Sequence, residues 1–248
     1  MKLATDIGGT FTDLVYLDEA TGGLGLAKAS STPPDFATGI MDAIAKSAVD
    51  PHAVEHFVHG ATVVINALTE RKGAVTALVT TEGCRDVLEI GRADRPDIYN
   101  LKFRKQPPFV PRERRFEVIE RTNYKGEVVT PLDQTSVDAA AGRIRASGAT
   151  TVAVAFLHSY ANPSHEQACA GRLRELLPDV LVTASSDITQ EWREYERTST
   201  AVLNAYVRPV ANTYLQSLET SLRSEGIGSQ LDVMKSNGGT ATFAVSQV

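Results

Sequence analysis

The residues best suited to chemistry form one segment near the N-terminus, Asp6-Ile7-Gly8-Gly9-Thr10-Phe11-Thr12-Asp13. Adjacent glycines let the backbone turn sharply and approach a ligand without an obstructing Cβ, and the N–H groups of such a turn form a concavity for anions. The threonine hydroxyls can donate to phosphate oxygens, and the aspartates can hold Mg²⁺ or orient an attacking group. A simple hairpin with solvated aspartates is the alternative, but the complete pattern favours phosphate binding.

Two other nucleotide-binding patterns are absent from the sequence. No G-x-x-x-x-G-K-[ST] segment occurs, which excludes a P-loop. Gly22, Gly23 and Gly25 do not form G-x-G-x-x-G, and no helix is predicted after them, so a Rossmann dinucleotide site is not expected.

Three histidines, His52, His56 and His59, have a spacing that suggests a metal site. A strand is predicted through this segment, and His56 and His59 would then point to opposite faces, which argues against a shared metal. His59 alone precedes Gly60 and a predicted helix N-terminus, where a substrate oxygen could be held. The alternative is a structural histidine.

Two further polar segments are candidates for ligand contacts. Arg92 and Arg95 begin a long charged and proline-rich loop, and a pair of arginines can clamp a carboxylate or bicarbonate, although a solvated loop explains them equally well. Asn237, Gly238 and Gly239 follow a predicted strand, so this segment either lines a nucleotide cleft or simply turns the chain.

The first part of the chain predicts an antiparallel meander followed by alternating helices and strands. The alternating segments KLATDI, FTDLVYLD and LGLAKAS are separated by glycine-containing turns, which is typical of antiparallel strands. Residues 35–48 have an apolar stripe after two prolines, which suits a helix. The next expected elements are a strand over 54–58, a helix over 61–70, a strand over 74–80 and a short helix over 83–90.

The rest of the chain predicts a second α/β region. We expect a hairpin over 115–130 and a long helical region over 189–223 that breaks near Arg208 and Pro209, because proline lacks the intrahelical donor. A last strand is expected over 231–235, and residues 240–248 fit no element, which suggests a chain that stops within a domain. The other expected elements are helices over 137–146 and 163–176 and strands over 150–157 and 180–184.

Composition is that of an ordinary globular protein, with 42% hydrophobic and 22% charged residues, and the net charge of −5 argues against nucleic-acid binding. Cys84 and Cys169 are far apart and predict neither structural zinc nor a disulfide framework. Asp6 and Asp13 interrupt any signal-like apolar run, and no run is long enough to span a membrane. A reduced cytoplasmic protein is therefore expected.

The glycine-rich segment resembles the first phosphate loop of the actin, sugar kinase and Hsp70 superfamily. Within that superfamily, stretches in the same order along nearly the whole chain resemble hydantoinase A and 5-oxoprolinase. These stretches are His59-Gly60-Ala61-Thr62, Asn66-Ala67-Leu68, Glu70-Arg71-Lys72-Gly73, residues 77–92, Arg95-Pro96-Asp97-Ile98-Tyr99, Asn204-Ala205-Tyr206-Val207 with Pro209, and Met234-Lys235-Ser236-Asn237-Gly238-Gly239. Ala61 departs from the pattern, because relatives usually carry threonine or serine there.

The resemblance implies an α/β fold in which two RNase H-like domains enclose a nucleotide. We expect an RNase H-like (actin-like ATPase) N-terminal domain over residues 1–185, with a mixed sheet and flanking helices. Residues 186–248 would be a long helical connection and the start of the main hydantoinase A domain, a second α/β unit that is present only in part. The second phosphate loop of the family does not occur in this sequence.

The chemistry implied by the resemblance is ATP-dependent opening of a cyclic amide such as 5-oxoproline or a hydantoin, with Mg²⁺ as the metal. The implied roles are catalysis by Asp6, Asp13 and His59, metal binding by Asp6 and Asp13, phosphate binding by Gly8, Gly9, Thr10, Thr12, Asn237, Gly238 and Gly239, and substrate contact by Thr62, Arg92 and Arg95. A partner subunit of the B type and an oligomer are expected.

Three alternatives remain open. The chain could belong to the ATP-using subunit of a ketone carboxylase, acting on acetone or acetophenone, which these residues do not separate from a cyclic-amide hydrolase. A non-catalytic assembly module would keep the fold without turnover. A kinase for a small alcohol or sugar shares the phosphate loop but does not explain the block from His59 to Arg92.

Overall fold

The computed structural model describes residues 1–33, 35–94 and 97–246, and it forms two compact units. The first unit combines Met1–Lys72 with Arg208–Val248, and the second unit is Gly73–Val207. The second unit is thus inserted into the first along the chain. These units are defined by which residues pack together, whereas the expected boundary at residue 185 came from the family resemblance. The two criteria therefore divide the chain at different residues.

The strands of the described residues are numbered in chain order. They are β1 (Lys2–Ile7), β2 (Phe11–Asp18), β3 (Gly23–Ser30), β4 (His56–Ala61), β5 (Thr76–Thr81), β6 (Arg115–Val118), β7 (Arg121–Thr122), β8 (Val128–Thr130), β9 (Thr151–Ala155), β10 (Leu181–Ala184), β11 (Gln230–Met234) and β12 (Thr240–Thr242).

The helices are numbered in the same way. They are α1 (Phe36–Ser47), α2 (Val63–Thr69), α3 (Val87–Ile90), α4 (Gln134–Ala146), α5 (Ser164–Leu176), α6 (Ser185–Ile188), α7 (Glu194–Ser224) and α8 (Phe243–Ser246). None of these helices is both long enough and apolar enough to cross a membrane.

The first unit is built on a mixed sheet with the strand order β12-β11-β4-β1-β2-β3. Strands β1, β2 and β3 form the predicted antiparallel meander, whereas β4 pairs in parallel with β1, and β11 in parallel with β4. The order β3-β2-β1-β4-β11 is that of an RNase H-like sheet, which confirms the predicted fold class.

Alternation along the meander determines which face of this sheet is covered. Leu3, Ile7 and Leu14 point inward and are almost fully buried, as expected when every second residue faces the core. Helix α1 packs against β3 and β2 through a stripe that includes Ile40 and Ile44. The side chain of Asp35 caps α1 by accepting from the Ala37 N–H, so the helix starts where the sequence predicts.

The second unit contains a parallel sheet in the order β10-β9-β5-β6, with α4 and α5 packed together on it. Strands β5 and β9 are buried along their whole length, which is typical of parallel strands covered on both faces. The hairpin expected over 115–130 is only partly right. Strands β7 and β8 pair antiparallel, but β6 pairs in parallel with β5, because its buried residues complete the sheet core.

Two expectations for the C-terminal region were wrong. Helix α7 continues through Pro209, which the sequence predicted to break it. Buried residues stabilise the helix before the proline (Val202, Ala205) and after it (Leu218, Leu222), which offsets the lost hydrogen bond. The region after residue 239, expected to be irregular, forms β12 and α8, and β12 pairs with β11.

Candidate nucleotide site

Three loops of the first unit lie at one edge of its sheet. Strands β1, β4 and β11 are parallel neighbours, so their carboxyl ends meet at the same edge. The register aligns Asp6 with Gly60, and Ile7 with Ala61. In open α/β sheets this edge is where ligands bind. The predicted phosphate loop, the segment beginning at Thr62 and the turn after β11 all follow these strand ends.

The Gly8-Gly9-Thr10 turn connects β1 to β2 and is tied to the end of β3. The Gly8 N–H donates to the Phe11 carbonyl at 2.9 Å, which closes the turn. Ser31 donates two hydrogen bonds to the turn. Its N–H donates to the Thr10 carbonyl at 2.9 Å, and its hydroxyl donates to the Gly8 carbonyl at 2.7 Å. Gly9 and Thr10 stay exposed. Ser31 was missed at the sequence level, since nothing in its local pattern points to the loop.

Thr12 is placed differently from the other members of the loop motif. Its side chain is fully buried, and its hydroxyl lies 3.2 Å from the hydroxyl of Ser31. Thr12 alternates with the exposed Phe11 and Asp13 on β2, so it faces the core rather than the solvent. In this conformation Thr12 supports the residue that holds the turn and does not itself face a ligand.

Asp6 and Asp13 lie directly opposite each other on β1 and β2. Both are exposed, and like charges in this position destabilise a strand pair unless a cation lies near them. Lys28 Nζ supplies one positive charge, 2.9 Å from Asp13 Oδ1. Gly60 leaves room for the carboxylate of Asp6, because a Cβ at position 60 would lie 3.0 Å from Asp6 Oδ1.

These two carboxylates fit a Mg²⁺ site of the kind found with nucleotides. Mg²⁺ keeps several waters and takes one or two protein carboxylates together with phosphate oxygens, so a full protein cage is not needed. Among the residues that the structure describes, no three of His, Cys, Asp or Glu are grouped as metal ligands, which also leaves the histidine triad unformed.

His59 is a buried link between β1 and α7. Its side chain has no exposed surface, whereas His56 on the same strand is exposed. His59 Nδ1 lies 2.8 Å from the Thr5 hydroxyl, and Nε2 lies 2.5 Å from the Tyr214 hydroxyl. Burial lowers the pKa of His59 to about 4, so the imidazole is neutral at pH 7. Burial and the nearby charge of Asp6 raise the pKa of Tyr214.

The other two segments of this edge are held by local hydrogen bonds. The Thr62 hydroxyl donates to the Ile7 carbonyl at 3.3 Å, which places Thr62 beside the start of the phosphate loop. Asn237 Oδ1 accepts from the Gly239 N–H at 3.0 Å within an exposed turn, and Gly238 has a φ of 82°. That φ favours glycine, so the chain turns tightly between β11 and β12.

Two family models match nearly the whole chain. Residues 2–177 match the family described as hydantoinase/oxoprolinase N-terminal region, and residues 197–247 match the one described as hydantoinase/oxoprolinase. The chain belongs to the hydantoinase/oxoprolinase family.

Named relatives of this hydantoinase/oxoprolinase chain include enzymes of two kinds. It is 34% identical to the caprolactamase subunit alpha of Pseudomonas jessenii, over 98% of this chain and 36% of the relative. The crystal structure of the ATP-dependent caprolactamase from that organism aligns with a TM-score of 0.87, again over 98% and 36% of the two chains. A nucleotide-free acetone carboxylase structure aligns with a TM-score of 0.90 at 27% identity, over 98% and 37%. The chain therefore spans about a third of the length of these relatives.

Two arginines were predicted to contact substrate, and the structure describes one of them, Arg92. Arg92 belongs to the second unit, and its Nε donates to Glu196 Oε1 at 2.7 Å. This hydrogen bond and ion pair raise the pKa of Arg92 and occupy one side of its guanidinium group. Arg95 lies outside the described residues. The edge of the first unit thus brings together Asp6, Asp13, Gly8, Gly9, Thr10 and Thr62, with Asn237, Gly238 and Gly239 on the neighbouring strand.

Proposed function

We propose that this chain is the phosphate-binding N-terminal part of an ATP-dependent cyclic-amide hydrolase. The observation that carries the proposal is the exposed Gly8-Gly9-Thr10 turn beside the facing carboxylates of Asp6 and Asp13, at the carboxyl edge of parallel strands. The caprolactamase relative, at 34% identity over nearly the whole chain, supports a cyclic amide as substrate.

Each group at this edge has a role in binding ATP. The backbone N–H groups of Gly9 and Thr10 bind phosphate oxygens, because glycine allows their close approach. Asp6 and Asp13 would hold Mg²⁺, and the bound ion would supply positive charge to neutralise the phosphates. Asn237, Gly238 and Gly239 border the nucleotide on the β11 side. Thr12 and Ser31 keep the turn in shape, and His59 holds the Tyr214 hydroxyl near Asp6 as a neutral positioning residue.

Phosphorylation solves the chemical difficulty of the substrate. Amide resonance makes a lactam carbonyl a poor electrophile. The lactam oxygen takes the terminal phosphoryl group, ADP leaves, and the amide N–H proton is lost to solvent. Water then adds to the activated carbon, and the C–N bond breaks so that the ring nitrogen leaves as an amine and an acyl phosphate remains. A second water hydrolyses the acyl phosphate to a carboxylate and phosphate. Most of the rate enhancement of such a transfer comes from positioning and charge neutralisation, which an ordered turn with two carboxylates can supply.

One alternative has a specific observation in its favour. The acetone carboxylase structure has the higher TM-score, 0.90, so the same ATP module could activate a ketone for carboxylation. In both cases a partner subunit and an oligomer belong to the proposal, because the caprolactamase relative is named as a subunit alpha.

Calorimetry with Mg-ATP tests the phosphate site directly. We expect binding to the 248-residue chain with a dissociation constant around or above ~1 mM, with Asp6→Asn and Gly9→Val removing the binding heat. Asp6 is exposed and a Cβ at Gly9 meets no neighbour within 4 Å, so neither variant should unfold the chain. Binding that persists in both variants would show that the nucleotide does not use this turn.

Turnover then separates the two substrates. ATP hydrolysis is measured with the protein expressed from its complete gene, together with any partner subunit. We expect stimulation by caprolactam, 5-oxoproline or a hydantoin, and none by acetone or acetophenone with bicarbonate. Stimulation by ketone and bicarbonate alone would replace the hydrolase with the carboxylase.

A further inference from the structure

The second unit contains a cavity of about 230 Å³ that the nucleotide site does not use. Thr80 and Ala155 form its floor at the carboxyl ends of β5 and β9. Cys84, Val87 and Ile90 form one wall, from the β5–α3 connection and α3, and the start of α7 forms the other. The cavity therefore lies where ligands bind in parallel α/β sheets, but in a different unit from Asp6.

The size of the cavity suits a small ring. Pockets for drug-sized molecules usually measure about 300–1,000 Å³, so this cavity is below that range. An engineered apolar cavity of about 150 Å³ holds benzene, which makes this one suitable for a ring slightly larger than benzene. Val87, Ile90 and Leu157 provide apolar contacts for such a ring.

Glu194 is the charged group on the α7 side of the cavity, and its surroundings determine what the cavity attracts. Its Oε2 pairs with Arg197, and its Oε1 accepts from the His158 N–H at 3.3 Å. Arg197 is also 3.7 Å from the carboxylate of Glu166, and both of these side chains are fully buried. Glu194 and Glu166 share the guanidinium of Arg197, so this cluster carries one more negative than positive charge. On the opposite side of the cavity, Arg121 Nη1 lies 3.9 Å from Cys84 Sγ. The Glu194 side of the cavity therefore favours an N–H donor over an anion.

Glu194 also has capacity left for a ligand. A carboxylate has about four lone-pair sites, and the contacts above use two of them for hydrogen bonds. The position of Glu194 is fixed by buried partners, so a ligand N–H would meet an acceptor that is already oriented. Hydrogen bonds to charged groups are among the stronger ones, with a net contribution of about 1.5–3 kcal/mol.

We propose that this cavity binds a compact, uncharged ring with an N–H donor, as found in a cyclic amide. The N–H donates to Glu194, and the methylene edge of the ring packs against Val87 and Ile90. The identity of the ligand rests on the proposed function, whereas the requirement for an uncharged N–H donor rests on the cavity itself.

The two cysteines of the chain provide a direct assay. Cys84 lines the cavity and is half-buried, so a small reagent can reach its thiol. Burial raises the pKa of this thiol, so we expect it to react slowly. Cys169 is fully buried, and burial raises the pKa of its thiol to about 12, so it serves as an internal control for unfolding. Alkylation of Cys84 by iodoacetamide, followed by mass spectrometry of its peptide, measures occupancy of the cavity.

We expect caprolactam to slow alkylation of Cys84 in a saturable way and to leave Cys169 unreacted. N-methylcaprolactam and cyclohexanone lack the N–H donor, and each should need at least about tenfold higher concentration for the same protection. 5-Oxoproline, whose carboxylate is repelled by the cluster, should protect less well than caprolactam. Equal protection by caprolactam and its N-methyl analogue, or no protection by caprolactam, would overturn the inference.

A pair of variants tests the location. Ile90 is 56% exposed and Ile188 is 38% exposed, so a larger side chain can be accommodated at both positions, but only Ile90 lines the cavity. Ile90→Trp should abolish protection by caprolactam, and Ile188→Trp should leave it unchanged. Protection that survives Ile90→Trp would place the ligand elsewhere.

Failure of this inference is distinguishable from failure of the proposed function. ATP turnover stimulated by caprolactam without protection of Cys84 would overturn the cavity site alone. Protection of Cys84 without stimulated turnover would support the cavity site and overturn the hydrolase.

Discussion

Both compact units place polar groups at the carboxyl ends of parallel strands, but they use them in opposite ways. In the first unit, Asp6, Gly9 and Thr10 are exposed. In the second unit, Glu166, Arg197 and their neighbouring hydroxyls are buried and bonded to one another. One edge leaves its polar groups exposed to solvent, and the other uses most of them to stabilise its own fold.

The difference follows from the free-energy cost of burying a charged or polar group. An exposed turn can change its partners from water to phosphate at little cost, whereas a buried charge without a partner is expensive. The second unit therefore pairs the buried charges of Glu166 and Arg197 with each other, and the cavity beside Glu194 is small, at about 230 Å³. Substitutions at the two edges should accordingly differ, with loss of stability in the second unit and loss of binding in the first.

The largest expected effect is on stability in the second unit. Arg197→Met removes the guanidinium that the buried Glu166 carboxylate faces at 3.7 Å. Leaving one member of a buried pair uncompensated costs about 3–5 kcal/mol, so the free energy of unfolding in urea should fall by that amount. Arg172→Met is the matched control, because Arg172 pairs with Asp138 at the surface, and it should leave the urea midpoint unchanged. Similar midpoints for both variants would contradict the comparison.

The next effect is a pH dependence in the first unit. His59 has a pKa of about 4 when folded and about 6.5 when unfolded, so the native state takes up fewer protons between these values. Stability from neutral His59 is complete above pH 6.5 and is lost as the pH falls towards 4, by up to about 3 kcal/mol. His59→Gln should flatten this part of the profile in urea unfolding at pH 7 and pH 4.5. His56→Gln, at an exposed position on the same strand, should keep the pH dependence of the free energy of unfolding. Loss of this pH dependence in both variants would refute its assignment to His59.

A smaller effect is expected where the first unit fits its backbone around a carboxylate. Gly60→Ala places a Cβ 3.0 Å from Asp6 Oδ1, which forces the carboxylate to shift. Overpacking of this kind lowers the free energy of unfolding by about 1 kcal/mol. Because Asp6 moves, we expect the activation free energy of ATP turnover to rise by more than this loss of stability. Thermal unfolding and turnover of the same preparations measure both. Gly9→Ala meets no neighbour within 4 Å and is the control for stability; an unperturbed turnover in Gly60→Ala would argue against Asp6 as a ligand.

The smallest effect is expected at Arg92. Its side chain is 64% exposed and pairs with Glu196 at the surface of the second unit. Because solvent screens such a pair, Arg92→Gln should leave the thermal unfolding midpoint unchanged in low and high salt. We also expect no change in KM for the cyclic amide. A tenfold rise in KM with an unchanged midpoint would show that Arg92 contacts the substrate.

The local features of the first unit were predictable from sequence. The meander over β1, β2 and β3 follows from alternation and glycine turns, and Asp35 marks the start of α1. The Gly8-Gly9-Thr10 turn was also predicted from adjacent residues, and its binding of phosphate stays a prediction. Ser31 and Tyr214 were not predicted, because Ser31 reaches the turn from the end of another strand and Tyr214 contacts His59 from 155 positions away.

The errors have a common physical origin. The parallel pairing of β6 with β5 and the continuity of α7 across Pro209 both depend on burial against distant residues. Local turn chemistry predicted a hairpin, and local propensity predicted a break, but burial of apolar surface outweighed both.

The sequence by itself determined the elements whose residues meet their neighbours in the chain: the meander, the capped helix α1 and a turn able to bind phosphate. Only the tertiary structure decided that Gly73–Val207 forms a compact unit of its own, and that β1, β4 and β11 end at one edge. The reason is that parallel strands are joined by long crossovers, so no local turn determines their neighbours. Their pairing is fixed by the apolar surface that they bury together.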